Sequence, residues 1–143
     1  MASKALQIRD AIITLLTTPA LTGIGAGGVS VDPDYAFAAA DIPVVAVYLG
    51  DETVQEQMIG AADHQLAITV RVISKGSDSF ATGDALMVAA HGRIVADPTL
   101  GGLALDLRHT GTRRSRDVLE VPVAVQELDY AVDYRTTTTS LEA

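Results

Sequence analysis

The residue types in this chain that are able to do chemistry are carboxylates, histidines and one glycine-rich run. Asp129 and Asp133 lie an even number of residues apart in a stretch that reads as a strand. They therefore share a face, as paired carboxylates for acid–base work would. No partner acid, base or metal motif accompanies them. Asp32 and Asp34 could approach a cation, but Tyr35-Ala36-Phe37 stands where an EF-hand has its later ligands and its glycine. His64, His91 and His109 include no pair at the four-residue helical spacing of a metal site, and none lies in HExxH. His91 falls on a helical stretch near its apolar stripe and reads as a structural histidine, and His109 as a surface one.

Gly23-Ile24-Gly25-Ala26-Gly27-Gly28 matches the string GxGxxG. A dinucleotide site needs a strand entering that loop and a helix leaving it, so that the helix N-terminus meets the pyrophosphate. Here a helical pattern precedes the loop and Pro33 follows it, so the run reads as a surface loop. GxSxG and GxxxxGK patterns do not occur. With no cysteine there is no disulfide, no thiolate metal site and no cysteine nucleophile. The expectation is a protein that is not an enzyme, with no catalytic, metal-binding or cofactor-binding residues.

Charge placement is more informative. The chain carries a formal net charge of −8. No Lys or Arg occurs between Arg9 and Arg71, a gap that holds Asp10, Asp32, Asp34, Asp41, Asp51, Glu52, Glu56 and Asp63. Arg108, Arg113, Arg114 and Arg116 crowd into one short stretch. If the two segments fold onto opposite surfaces, the domain gains an acidic and a basic side and is able to bind its own copy head to tail. The arginines could instead meet phosphate, but the chain around them is acidic, which favours a protein partner. Asp51, Glu52, Glu56, Arg108, Arg113, Arg114 and Arg116 are the candidate interface residues.

The elements that must position these groups follow from periodicity. Ala5, Ile8, Ile12 and Leu15/Leu16 recur at helical spacing behind Ser3, a plausible N-cap, and predict a helix to Thr17. Pro43–Leu49 is a continuous apolar run, as in a central strand covered on both faces. A second strand is expected over Thr53–Met58, a turn at Gly60, and a third strand where Leu66, Ile68, Val70 and Val72 alternate with polar or small residues. A helix over 79–95 is expected to bury Phe80, Met87, Ala90 and Ile94. Leu103, Leu105 and Leu107 suggest a fourth strand, and 118–135 a last one. In that last strand the apolar set shifts from Val121, Val123 and Val125 to Leu128, Tyr130, Val132 and Tyr134, which predicts a bulge or strong twist at Gln126–Glu127. The order predicts an α+β domain over 1–135: a mostly antiparallel, twisted sheet of about four to five strands with two helices on one face. A polar tail is expected over 136–143.

At 143 residues and 48% hydrophobic composition, one domain with a sizeable core is expected. Aromatics are only 4%, which argues against base- or sugar-stacking platforms. The N-terminus lacks a signal-peptide pattern, and no run approaches the roughly 18 apolar residues of a membrane span. A soluble chain made in the cytoplasm, with no membrane partner, is the expectation.

Asp41-Ile-Pro-Val-Val-Ala-Val-Tyr-Leu49, His64-Gln-Leu-Ala-Ile-Thr-Val-Arg-Val72 and Leu128-Asp-Tyr-Ala-Val-Asp-Tyr-Arg-Thr136, together with the N-terminal helix, resemble the phage tail terminator family. The order of elements is similar across most of the chain. The resemblance implies a virion subunit assembled in the host cytoplasm into a ring, of six copies in that family. Such a ring caps the tail tube, stops its growth and presents a surface to a head-side neck or connector protein. DNA passes through its lumen without specific binding. The related tail-completion proteins of the neck share fold and composition and are the alternative. A small ligand-binding or hydrolytic domain is the alternative of another class.

Overall fold

Apolar residues every three or four positions make the first element a helix with one greasy face. Ser3 opens it: its side chain accepts from the Leu6 N–H, and Ala5, Ile8, Ile12 and Leu16 point inward. The computed structural model describes residues 2–25, 28–32, 42–76, 78–118 and 122–142. Its elements are α1 (Lys4–Thr17), β1 (Val29–Val31), β2 (Val44–Met58), β3 (Ala61–Lys75), α2 (Ser79–Val95), β4 (Asp106–Val118) and β5 (Pro122–Thr136). The five strands form one sheet in the order β1-β2-β3-β5-β4. Every pairing is antiparallel except β1 with β2. The α+β class is as expected.

Both helices lie on one face of that sheet. Ile8, Ile12 and Leu16 of α1 and Leu86, Met87, Ala90 and Ile94 of α2 join Val45, Val47, Leu66, Ile68, Val70, Val72, Leu128, Tyr130, Val132 and Tyr134 in one core. Burying each such Ile, Leu or Val contributes about 1.5–3 kcal/mol. Asp78 caps α2 through the Ala81 N–H. Arg93 of α2 reaches across to the exposed end of α1 and donates to the carbonyls of Leu15, Leu16, Pro19 and Ala20. Leu15 and Leu16 lie in the last turn of α1, where carbonyls lack helical partners, and Pro19 and Ala20 follow it, so one cation closes the end of α1 and fixes it against α2.

The strands differ from expectation in instructive ways. Pro43–Leu49 and Thr53–Met58 are halves of one strand, β2, continuing through register shifts at Leu49/Glu52 and Val54/Glu56. Its first half is buried on both faces, because Ile42, Val44, Ile73 and Val123 form a small second cluster on the helix-free side. That cluster also explains the apolar shift in β5. There is no bulge at Gln126–Glu127: the register with β3 runs unbroken from Val123 opposite Lys75 to Thr136 opposite Ala62. Val123 and Val125 face the second cluster, while Ala124, Gln126, Leu128 and the residues after them face the helices. Val121 lies outside the described residues.

The fourth strand starts later than the alternation of Leu103, Leu105 and Leu107 suggests, at Asp106, and of these leucines only Leu107 lies in it. The strand proper carries the arginines. Strand β1 was hidden behind the glycine run. Phe80 is only half-buried and lies off the α2 core stripe, which Gly83 and Leu86 occupy instead. The segment after β5 is tied down: Thr137 bridges Ser140, and the Leu141 carbonyl accepts from the Lys4 N–H at 2.7 Å.

Two glycines in α2 predict opposite outcomes for the same substitution. A Cβ at Gly83 would lie 2.6 Å from Ser74 Oγ and 3.0 Å from Gln126 Nε2, whereas one at Gly92 meets nothing within 4 Å. Gly83→Ala is expected to cost about 1–3 kcal/mol by overpacking. Gly92→Ala is expected to add roughly 0.4–1 kcal/mol by restricting the unfolded chain. Thermal unfolding of both variants checks the pair.

Candidate assembly surface

An edge strand must leave one row of backbone groups unpaired, and β4 occupies that place with charged side chains. Alternation divides its arginines between the two faces. Arg108 stands opposite Ala131 and Arg113 opposite Glu127, both on the helix-free face. Arg114 stands opposite Gln126 and Arg116 opposite Ala124, on the helix side.

On the helix-free face the arginines are satisfied within the chain. Arg113 grips Asp129 with Nε at 2.8 Å and Nη2 at 2.9 Å, and Nη2 also donates to Glu127 at 3.0 Å. Arg108 pairs with Asp133 and, at 3.3 Å, with Asp106. Asp129 and Asp133 do share a face, as expected, but each is the partner of an arginine. The Arg113 hydrogen bonds hold the Asp129 carboxyl below its ordinary value against a smaller opposing effect of burial. Thr69 Oγ1 donates to the same carboxylate at 2.9 Å. Arg71, which donates to Tyr48 and pairs with Glu127, and Arg135, paired with Asp63, continue this lattice toward β2.

Arg114 and Arg116 are held differently. Arg114 Nε donates to Gln126 Oε1 at 3.1 Å, and the Gln126 amide, 1% exposed, donates to the Phe80 carbonyl at 3.3 Å. The Arg116 guanidinium lies over the Phe80 ring, 4.9 Å from its centroid. Among the described residues neither has a carboxylate within ion-pair distance. Both remain exposed, so their charge is available to a partner.

The acidic candidates sit on the outer half of β2, which β1 does not reach. Between β2 and β4 lie β3 and β5, so the two margins are about 14 Å apart in strand spacings. Glu52 is engaged: it accepts from the Tyr134 hydroxyl and lies 3.8 Å from His64 Nδ1. Burial, then this bond, raises the Tyr134 phenol above its ordinary value and keeps it a donor. His64 is buried, stacks on Tyr134 and shares a 2.8 Å hydrogen bond with Thr136 Oγ1. Asp51 and Glu56 are exposed, and Glu56 lies in the field of Arg135. Asp34 and Asp41 lie outside the described residues.

The remaining candidates have structural uses. Asp32 accepts from the Leu49 N–H at 2.8 Å and pairs with Arg9 at 2.9 Å. Gly25 and Gly28 dock the glycine run onto the start of β2, through Gly25 N–H to the Pro43 carbonyl and Val45 N–H to the Gly28 carbonyl. Ala26, Gly27 and Tyr35–Phe37 lie outside the described residues. Among the described residues no three His, Asp or Glu converge on a possible metal position. His91 shares a 2.7 Å hydrogen bond with the Tyr130 hydroxyl, and His109 packs against both rings. Spacing along one element could not reveal this cluster, because its members come from α2, β4 and β5.

No protein-family model matches the chain, and no curated protein matches it. A solved chain from a structure titled "Virion of native gene transfer agent (GTA) particle" is similar with a TM-score of 0.64 and 19% identity. The match covers 90% of this chain and 94% of that one. The likeness shows that the two share a fold over nearly their whole lengths. No helix among the described residues is long and apolar enough to cross a membrane.

The depressed Asp129 carboxyl sets the sign of an acid response. Its contribution is fully present above the unfolded value near 3.8 and is lost as pH falls through the lower folded value. Arg113→Ala is expected to lower the melting temperature at neutral pH, and the gap to the parent chain to close in strong acid. A gap that stays constant with pH would separate Asp129 from Arg113 energetically.

Proposed function

We propose that this chain is a structural subunit of a phage-like virion, and within it a tail terminator that acts as a ring of its own copies. One observation carries the reading: among the described residues the two margins of the sheet carry exposed charge of opposite sign, Asp51 and Glu56 by β2 against Arg114 and Arg116 on β4. Like charges disfavour β4 meeting β4, or β2 meeting β2, so complementarity selects the head-to-tail contact. A head-to-tail contact repeated by rotation closes into a ring.

The fold shared with a chain of the gene transfer agent particle supports a place in a virion. The resemblance of the strand segments to tail terminators supports the finer reading, including six copies, capping of the tube and a head-side surface for a neck protein. Stopping a polymer requires only a face that matches its end and another face that does not, so no reacting group is called for. The helix-free face suits a channel for DNA. Arg71, Arg108, Arg113 and Arg135 there are paired with carboxylates, and the chain's net charge is −8. Such a surface gives phosphates little to hold.

Light scattering of the purified chain, alone and with tube ends, tests the reading. A ring is expected that weakens between about 0.05 and about 0.5 M salt, as exposed charge pairs do. Arg114→Glu with Arg116→Glu is expected to cut association about tenfold or more, and Asp51→Lys with Glu56→Lys to restore it on mixing. Arg108→Glu is expected to lower the melting temperature first, because its partner lies in the same chain. A monomer under all these conditions contradicts the reading.

A further inference from the structure

Among the described residues, two ring contacts join α2 to the edge strand β4. At one end the Arg116 guanidinium lies over Phe80. At the other the His91 ring lies 4.9 Å from the His109 ring, tilted by 59°. Tyr130 of β5 completes the second contact, with ring centroids 5.8 Å from His91 and 5.5 Å from His109. Its hydroxyl is 2.7 Å from His91 Nδ1, and the residue is 1% exposed. His109 also closes the irregularity of β4 between His109 and Gly111, where its Nε2 lies 2.8 Å from the Gly111 carbonyl and 3.0 Å from Thr112 Oγ1.

We propose that His91, Tyr130 and His109 form a proton-operated clasp, closed at neutral pH and opened by mild acid, that releases the Asp106–Thr110 end of β4 from α2. With His91 neutral and its proton on Nε2, Nδ1 accepts a hydrogen bond from the Tyr130 hydroxyl, and the buried O–H is satisfied. A proton on His91 turns Nδ1 into a donor, so the hydroxyl oxygen can only accept from it and the Tyr130 O–H loses this acceptor. It also places a cation beside the second imidazole, that of His109, 4.9 Å away between ring centroids. Burial, then the charge on His109, lowers the His91 value from 6.5, so the fold holds the neutral form. The stabilisation is present above the unfolded value and is lost as pH falls through the lower folded one.

The charged groups around the clasp do not cancel this. Asp129 of β5 points to the opposite face, yet its charge interacts with His109 and offsets part of a charge there; it is already bound by Arg113 and Thr69. A charge on His109 opposes one on His91. Arg108 and Arg113 flank the site from the other face of β4, each in its own ion pairs. The Arg116–Phe80 contact has no group that titrates in this range, so the far end of β4 stays in place. The clasp does not depend on the assembly reading, and it would loosen the strand that carries the basic margin.

Amide hydrogen exchange of the intact chain at about pH 7.5 and about pH 5.5, corrected for intrinsic rates, tests the clasp. The amides of Asp106–Thr110 are expected to lose about tenfold or more of their protection in acid, and those of Gly111–Arg116 to change little. His91→Gln keeps an acceptor for Tyr130 and carries no charge, so it is expected to abolish the response. Equal protection of Asp106–Thr110 at both pH values, or the same loss in His91→Gln, overturns the proposal. Should that variant not fold, NMR titration of the parent His91 ring decides. Opening with the midpoint of that ring supports the clasp, and opening at any other midpoint overturns it.

Discussion

The unbroken antiparallel register of β3 against β5 is the constraint from which the rest of the molecule follows. Because side chains alternate along both strands, this pairing decides which residues meet the helices and which meet solvent. Tyr130 and Tyr134 go inward, and Asp129, Asp133 and Arg135 go outward. A slip of one residue would bury three charges and expose two tyrosines. The two long central strands therefore hold the sheet in a single arrangement, and the outer strands are free to carry irregularities. The register shifts of β2 with β3 and of β4 with β5 lie on β2 and β4, where they disturb the centre least.

Covering only one face leaves the other to be made stable in water. The chain does so with a lattice of Arg–carboxylate pairs across β3, β5 and β4, each partly exposed and individually weak. That arrangement has a consequence for recognition. Arginines committed inside the lattice have little charge left to offer. Among the described residues, those on the helix side of the edge are held by an amide and an aromatic ring and keep theirs. Strength of charge in the sequence is thus a poor guide to where a partner binds, and the identity of the nearest acid is a better one.

Much of the fold was legible in the sequence, because burial leaves a period. α1 and α2, the β3 alternation and the α+β class all follow from apolar spacing. Most of β4 was not legible as a strand, because an edge strand lined with arginines has no apolar alternation to read. The apolar shift in β5 read as a bulge because the second cluster of Ile42, Val44, Ile73 and Val123 on the opposite face could not be foreseen. A small core on the far side of a sheet and a register slip leave the same pattern. At the candidate site, the seven charged residues were found by type. Their division into satisfied and available groups required the cross-strand partners, which sequence distance conceals. The clasp of His91, Tyr130 and His109 was likewise invisible, since it joins three elements.

The central claim is that opposite margins of this sheet meet between copies. The chain contains no cysteine, so single cysteines placed at chosen sites report on contacts directly. Glu56→Cys and Arg114→Cys chains, mixed and treated with a short bismaleimide, are predicted to give a covalent product that joins one chain of each kind. Neither variant alone is predicted to give it. Products formed equally by each variant with itself, or no cross-linked product from the mixture, would contradict the account.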